Sequence, residues 1–301
     1  MLYVFGHKNP DSDTICSAII AADWLRHLGK KATPFRLGET NTETHYILSQ
    51  AGVAAPELLE CSVASKDVWL VDFTDTEQGP DSLVDSNVIG IIDHHRLGTL
   101  TTRNPPDAWI RSLGSCATVL WHIITTESDM PFTSSQATLL LGAILSDTVS
   151  LTSPTTTDRD RQAVEALFSL TSLDRERFCR ELLEAKTDIT GLSAVQLMNK
   201  DAKRYRINGH EFLLAQLELN AMSQLDALMP ALMTELDALC HNDHLDVVVL
   251  MATDIIRKKT TLWFSKNSLA GMQRPVSMPG VLSRKKQVLP WLTEQLTKDK
   301  T

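Results

Sequence analysis

Short apolar runs alternate with longer segments of helical spacing through the first half of the chain. Leu2–Phe5 reads as a strand and residues 14–28 as an apolar helix ended by Gly29, so the chain opens with a βα unit. Further strand-like runs fall at Ala32–Arg36, 68–71 and 88–92, with helical or loop segments between them. That alternation predicts a mainly parallel sheet, whose ligands bind at the C-terminal ends of its strands. Helical patterns at 117–125, 135–145 and 156–170, the last opened by a capping threonine, would flank the sheet.

The regular pattern then weakens into a polar stretch, Lys186-Thr187-Asp188-Ile189-Thr190-Gly191, after which a new set of elements begins. This predicts a first domain of residues 1–187, a hinge linker at 188–192 and a second domain of residues 193–301. In the second domain Asn208-Gly209 signals a hairpin, 223–239 has helical spacing, 245–251 is a strongly apolar strand and 288–296 a terminal helix. The fold class expected is α/β: a parallel sheet with flanking helices, followed by a smaller α/β domain. The sequence contains no internal repeat and no low-complexity tract.

Composition narrows the function classes. A length of 301 residues exceeds what one core usually organises, which agrees with two domains. The net charge of −8 argues against nucleic acid and anionic membrane as partners, since both demand a basic surface. An anionic substrate would therefore need a local cationic pocket. The five cysteines are widely spaced with no C-x-x-C pair, as expected of reduced thiols in the cytoplasm. Residues 1–5 lead directly into a strand with no secretory pattern, and apolar runs such as 138–145 fall short of the ~18 residues that span a bilayer.

The chemistry concentrates at predicted strand ends. Gly6-His7-Lys8-Asn9-Pro10-Asp11-Ser12-Asp13 follows the first strand and precedes the first helix. In an extended loop Asp11 and Asp13 could diverge toward two adjacent ions, with His7 completing one site. Alone, this Asp-x-Asp would be a polar turn with Asp13 as the helix cap. Asp72 follows the strand at 68–71, however, and Asp93-His94-His95 follows the strand at 88–92, so three strand ends converge. Asp147 lies at the end of the apolar helix at 135–145. Together His7, Asp11, Asp13, Asp72, His94 and Asp147 offer nitrogen and oxygen ligands without thiolate, a set suited to divalent metals such as Mn²⁺.

With these motifs in order, the chain resembles the family II, manganese-dependent inorganic pyrophosphatases of the DHH phosphoesterase superfamily. The matching segments are residues 6–13, Asp93-His94-His95-Arg96, Ser146-Asp147 and Ser283-Arg284-Lys285-Lys286-Gln287, and the resemblance spans nearly the whole chain. It implies that His7, Asp11 and Asp72 hold one metal, and that Asp13, Asp72, His94 and Asp147 hold the other. It also implies that Asp93 orients a ligand histidine, that His95 contacts phosphate, and that Lys203, Arg284 and Lys285 clamp the substrate from the second domain across an interdomain cleft. The implied activity is hydrolysis of pyrophosphate by two Mn²⁺ ions with a bridging hydroxide, Co²⁺ being an alternative metal and a further Mg²⁺ arriving with the substrate. A homodimer through the N-terminal domain is implied as well.

The match departs from the family at one place. Where the family usually shows Asp-His-Asn-Glu, this chain has Asp72-Phe73-Thr74-Asp75, which retains the ligand and changes its surroundings. Two rival readings follow: a superfamily hydrolase of short polyphosphate or another phosphoanhydride, which would share the metal site without the clamp, and a non-catalytic metal or nucleotide sensor. His241-Asn242-Asp243-His244 reads as a solvated turn rather than a metal site. Cys116 reads as a small buried residue rather than a nucleophile, beside Gly114 and Ser115 at a helix start.

Overall fold

A computed structural model describes residues 1–265 and 275–298, and the chain divides into two compact units, Met1–Ala185 and Lys186–Thr301. The first unit runs β1 (Leu2–Phe5), α1 (Ser12–His27), β2 (Ala32–Arg36), α2 (Thr42–Ala51), β3 (Glu57–Leu58), β4 (Asp67–Val71), β5 (Asn87–Asp93) and β6 (Asp107–Ile110). It continues with α3 (Cys116–Glu127), α4 (Ser134–Asp147), α5 (Asp158–Phe168) and the start of α6 (Arg175–Thr187). The sheet order is β3-β2-β1-β4-β5-β6, and every pairing is parallel, as the alternating pattern predicts.

Strand alternation sorts the core into two faces. Leu2, Val4, Trp69, Val71 and Ile92 join the apolar residues of α1, α3 and α4 in the larger cluster. Phe5, Phe35, Val68, Leu70, Val88 and Ile91 face the other way, packed with Val63, Phe73 and Leu83 from the connecting segments. Phe73, one of the residues that depart from the family pattern, is thus a core residue of that second face. Gly90 in β5 is required by close approach, because a Cβ there would meet three Trp69 ring atoms at 2.3–2.4 Å.

The second unit contains α7 (Ala194–Lys200), β7 (Ala202–Ile207), β8 (His210–Leu219), α8 (Met229–Asn242), β9 (Val247–Asp254), β10 (Lys259–Phe264), β11 (Val276–Pro279) and α9 (Leu289–Lys298). Its sheet order is β11-β10-β9-β8-β7, antiparallel except for the central β8–β9 pair. All eight residues of β9 are buried, the continuous apolar run of a strand covered on both faces. Leu213, Leu217, Val248 and Leu250 pack with α8 on one face, and Phe212, Leu214, Val249 and Met251 pack with Val288 and Leu292 on the other.

The expected elements are present with shifted ends. The α1 cap is Asp11, not Asp13, and α5 is capped by Thr157, one residue later than expected, through a reciprocal capping box with Asp160. Pro230, suited to a helix's first turn, starts α8 at Met229 rather than 223. The Asn208-Gly209 hairpin forms between β7 and β8, with both residues at positive φ. Among the described residues no helix is long and apolar enough to cross a membrane.

Candidate metal centre

Three neighbouring strands of the first sheet, β1, β4 and β5, end on the same edge because they are parallel. His7 lies just after β1, and Asp11 caps α1 by accepting from Thr14 N at 2.9 Å. Asp13 follows in the first turn of α1. Asp72 comes directly after β4 in the left-handed region at φ 66°, a costly conformation for a residue other than glycine, and its N–H donates to Ile92 O at 2.8 Å. Asp93 closes β5, so that His94 and His95 emerge next to Asp72. Asp147 is the last residue of α4, followed by three successive residues at positive φ, Val149 to Leu151, which turn the chain sharply.

The predicted ligands are brought together. His7 Nε2 lies 3.5 Å from Asp11 Oδ2 and 3.4 Å from Asp72 Oδ2. His94 Nε2 lies 3.3 Å from Asp72 Oδ1, 3.3 Å from Asp147 Oδ2 and 3.7 Å from Asp13 Oδ2. These atoms form two groupings able to hold a cation, His7-Asp11-Asp72 and Asp13-His94-Asp147. Asp72 stands between them, turning one oxygen to each histidine. A third grouping, Asp72-His94-His95, is geometrically close, but His95 Nδ1 is already engaged with Asp93 Oδ1 at 2.8 Å.

Four of the candidate ligands, His7, His94, Asp72 and Asp13, are each held by a partner behind them. His7 Nδ1 meets Lys8 O at 3.1 Å, and His94 Nδ1 meets Leu113 O at 3.1 Å. A carbonyl can only accept, so both Nδ1 atoms carry a proton and both Nε2 atoms are turned toward the carboxylates, where each would offer a lone pair to a bound metal. Thr14 Oγ1 donates to Asp72 Oδ2 at 2.7 Å. Asp13 is gripped by the start of α3: Ser115 Oγ (2.9 Å), Cys116 N (2.6 Å) and Ala117 N (2.9 Å) all donate to it. Asp93 accepts from the backbone of His94 and His95 and from the His95 ring. It therefore holds His95, while a main-chain carbonyl holds the ring of His94.

The electrostatics of this cluster call for a cation. Burial, with Asp72 and Asp11 nearby, pushes the Asp13 carboxyl well above the usual carboxylate range, and burial with Asp13 and Asp11 does the same to Asp147. Burial also acts to raise Asp72, but the close approach of His7 and His94 and the charge of His95 hold it well below. Asp72 Oδ1 is buried and takes no hydrogen bond. An acceptor in that state, beside two imidazole nitrogens, fits a divalent ion. Burial raises the Cys116 thiol well above its ordinary value, and its Sγ contacts Ile92 O at 3.2 Å, in keeping with a packed residue.

Two buried carboxylates near this edge were not expected. Asp160 accepts from Gly114 N, Thr118 Oγ1 and both N and Oγ1 of Thr157, fastening α5 to the start of α3. The capping-box spacing Thr157-x-x-Asp160 was the available signal for its helix role, though not for its bonds to α3. Glu43, in the first turn of α2, accepts from Ser12 Oγ at 3.1 Å, behind the loop that carries Asp11 and Asp13.

In the second unit Lys203 sits on β7 opposite Leu214. Arg284 and Lys285 begin a tight turn capped by Ser283, whose Oγ accepts from Lys286 N at 3.2 Å. Arg284 is buried and donates to Leu214 O at 3.4 Å, so Lys203 and Arg284 meet at the same pair of strands.

The family model of the DHH family, N-terminal domain, matches residues 1–144, and that of the DHHA2 domain matches residues 180–295. A Staphylococcus saprophyticus protein named probable manganese-dependent inorganic pyrophosphatase is 36% identical over 306 residues, covering 98% of this chain and 99% of that one. The manganese-dependent inorganic pyrophosphatase of Methanocaldococcus jannaschii is 35% identical, covering 96% and 97%. The crystal structure of a Methanococcus jannaschii protein assigned to the family II inorganic pyrophosphatases superimposes with a TM-score of 0.89 at 34% identity, covering 98% of this chain and 99% of its own. At this identity over almost the full length of each relative, the chain belongs to the family of manganese-dependent inorganic pyrophosphatases.

Proposed function

We propose that this protein hydrolyses inorganic pyrophosphate to two phosphates, with two Mn²⁺ ions at the β1–β4–β5 edge. The observation that carries the reading is the position of Asp72 between two histidine–carboxylate groupings, His7-Asp11 on one side and Asp13-His94-Asp147 on the other. Bound there, the ions would supply an acidified water at neutral pH and neutralise phosphate oxygens. Co²⁺ suits the same donors, and a further Mg²⁺ would enter with the substrate.

The remaining work falls to side chains. Asp93 and the α3 amides hold His95 and Asp13 in place, so little reorganisation is needed when substrate arrives. His95, with its Nδ1 held by Asp93, contacts a phosphate oxygen. Lys203, Arg284 and Lys285 supply the local cationic pocket that an acidic chain needs for an anionic substrate. In this reading residues 1–187 are the metal-binding domain, 188–192 the hinge linker and 193–301 the substrate-clamping domain. The protein is taken to be a cytoplasmic homodimer through its N-terminal domain, a reading supported by five free thiols and by the family resemblance.

The test is phosphate release from pyrophosphate by metal-stripped protein resupplied with Mn²⁺, Co²⁺, Zn²⁺ or Mg²⁺, with tripolyphosphate in parallel. Fast pyrophosphate cleavage with Mn²⁺ or Co²⁺ supports the reading. Cleavage of tripolyphosphate alone would transfer the activity to longer polyphosphate, and inactivity on both would leave a metal sensor. Light scattering checks the dimer.

A further inference from the structure

We infer that Asp201 is a positioning residue for Arg284, holding one edge of the guanidinium so that the opposite edge is reserved for a phosphate group of the substrate. The inference rests on the reading of Arg284 as a substrate contact and adds a residue that neither the family motif nor the metal cluster assigns.

The geometry is that of a planar group bound on one side. Arg284 Nη1 donates to the main-chain O of Asp201 at 3.0 Å, and Nη2 donates to Asp201 Oδ1 at 2.8 Å. A single residue thus takes the Nη1–Nη2 edge with one backbone and one side-chain oxygen. The backbone oxygen is itself anchored, since it accepts from Gln216 N at 2.8 Å, and the second hydrogen of Nη1 reaches Leu214 O at 3.4 Å. The carboxylate is therefore held by a strand whose register is fixed, with Ala202 opposite Ala215 and Lys203 opposite Leu214.

A guanidinium carries five N–H donors in one plane. The bonds above use both hydrogens of Nη1 and one of Nη2. Nε remains: it is buried and takes no hydrogen bond among the described residues, although the side chain is only 7% exposed. Nε and the adjacent hydrogen of Nη2 form the second fork of the group, spaced to meet two oxygens of one phosphate. A buried donor without an acceptor is costly, and a phosphate oxygen on that edge removes the cost. Asp201, 43% exposed, sets the plane and rotation of the fork through the Nη1–Nη2 edge.

The experiment is steady-state pyrophosphate hydrolysis by the Mn²⁺-loaded full-length protein, comparing wild type with Asp201→Ala, Asp201→Asn and Arg284→Lys. Asp201→Ala is expected to raise KM about tenfold, the effect of losing a charge-assisted hydrogen bond, and to leave kcat within about threefold. Asp201→Asn, which keeps an oxygen acceptor, should hold KM within about threefold of wild type. Competitive inhibition by inorganic phosphate should weaken in step with KM. In the Arg284→Lys background, Asp201→Ala should add nothing further, because the two changes break one interaction.

An Asp201 that merely neutralises a buried arginine would lower the folded fraction, and kcat with it, while KM and phosphate inhibition stayed put; that result overturns the inference. If Asp201→Ala does not fold, Asp201→Glu carries the test: its acceptor is displaced by one methylene, and an unchanged KM there also overturns the inference. A raised KM in Arg284→Lys with an unchanged KM in both Asp201 variants sinks the role of Asp201 and leaves the clamp standing. An unchanged KM in Arg284→Lys sinks the clamp itself.

Discussion

Replacing Asp160 with alanine should both unfold the first unit more readily and loosen its grip on manganese. The carboxylate lies wholly buried between α3 and α5, with Gly114 N at 3.0 and 3.1 Å from its two oxygens, Thr157 N at 2.6 Å, Thr118 Oγ1 at 2.6 Å and Thr157 Oγ1 at 2.7 Å. Two of these donors are hydroxyls that can rotate toward other acceptors. The two main-chain N–H groups cannot, and each stranded donor costs about 1–3 kcal/mol. With about 0.5–1.5 kcal/mol for each hydroxyl bond added, the loss comes to roughly 3–9 kcal/mol, a large share of the ~5–15 kcal/mol that holds a domain together. The residues after Gly114 are the ones that donate to Asp13, so the same change frees the ligand's support. Mn²⁺ affinity should fall about 10–100-fold. Urea unfolding of the metal-free protein measures the first effect, and the electron paramagnetic resonance signal of free Mn²⁺ measures the second. A loss below about 1 kcal/mol with unchanged Mn²⁺ affinity would refute the reasoning.

Three other outcomes are expected. Gly90→Ala drives a methyl into the Trp69 ring, which is confined by Trp24 at 5.8 Å and Trp109 at 6.0 Å, so thermal unfolding should show a loss of about 1–3 kcal/mol; an unchanged midpoint would mean the strand shifts freely. Asp72→Asn keeps an acceptor for Thr14 but removes the shared charge between the two groupings, and should lower the Mn²⁺ stoichiometry and cut pyrophosphatase activity at least about a hundredfold. In metal-free protein, the raised carboxyls of Asp13, Asp93 and Asp147 stabilise the fold below their unfolded pKa, and that contribution is lost as pH rises through their folded values. Asp72, held low, works in the opposite sense, with a contribution present above its unfolded pKa and lost as pH falls through its folded value. Since three outnumber one, the metal-free protein should weaken as pH rises above the ordinary carboxylate range while Mn²⁺, which binds deprotonated ligands, stabilises it increasingly. A melting-temperature gap between the two forms that stays constant as pH rises would contradict this.

What the sequence made legible were the residues whose position is announced by a local pattern. Apolar runs ending in acids or histidines placed His7, Asp72 and His94 on one sheet edge, and the long apolar helices before Asp147 and after Asp13 were recognisable by spacing alone. Elements without a strong apolar signature were harder to read. α6 is charge-rich, β3 has two exposed residues and β6 is a short, partly exposed edge strand. The supporting shell was hidden for another reason: the bond from Ser115 to Asp13 spans 102 positions and that from Gly114 to Asp160 spans 46. No local rule connects such pairs, because only the fold brings them together.

The visible and the hidden residues meet in the charge balance of the site. Asp11, Asp13, Asp72 and Asp147 carry four negative charges when ionised, and His7 and His94 as metal ligands would contribute only lone pairs. Packed into two adjacent groupings with no cation, these acids repel one another, and burial favours the neutral form of Asp13 and Asp147. Yet the structure keeps donors on the acids: helix amides on Asp13, and the Thr14 hydroxyl on Asp72. Donors of that kind favour the carboxylate form, so the fold prepares ionised ligands at a place where burial alone would neutralise them. Two divalent ions supply four positive charges, which matches the four carboxylates. In the proposed reading, one ion would leave two of those charges unbalanced, which favours two metals over one.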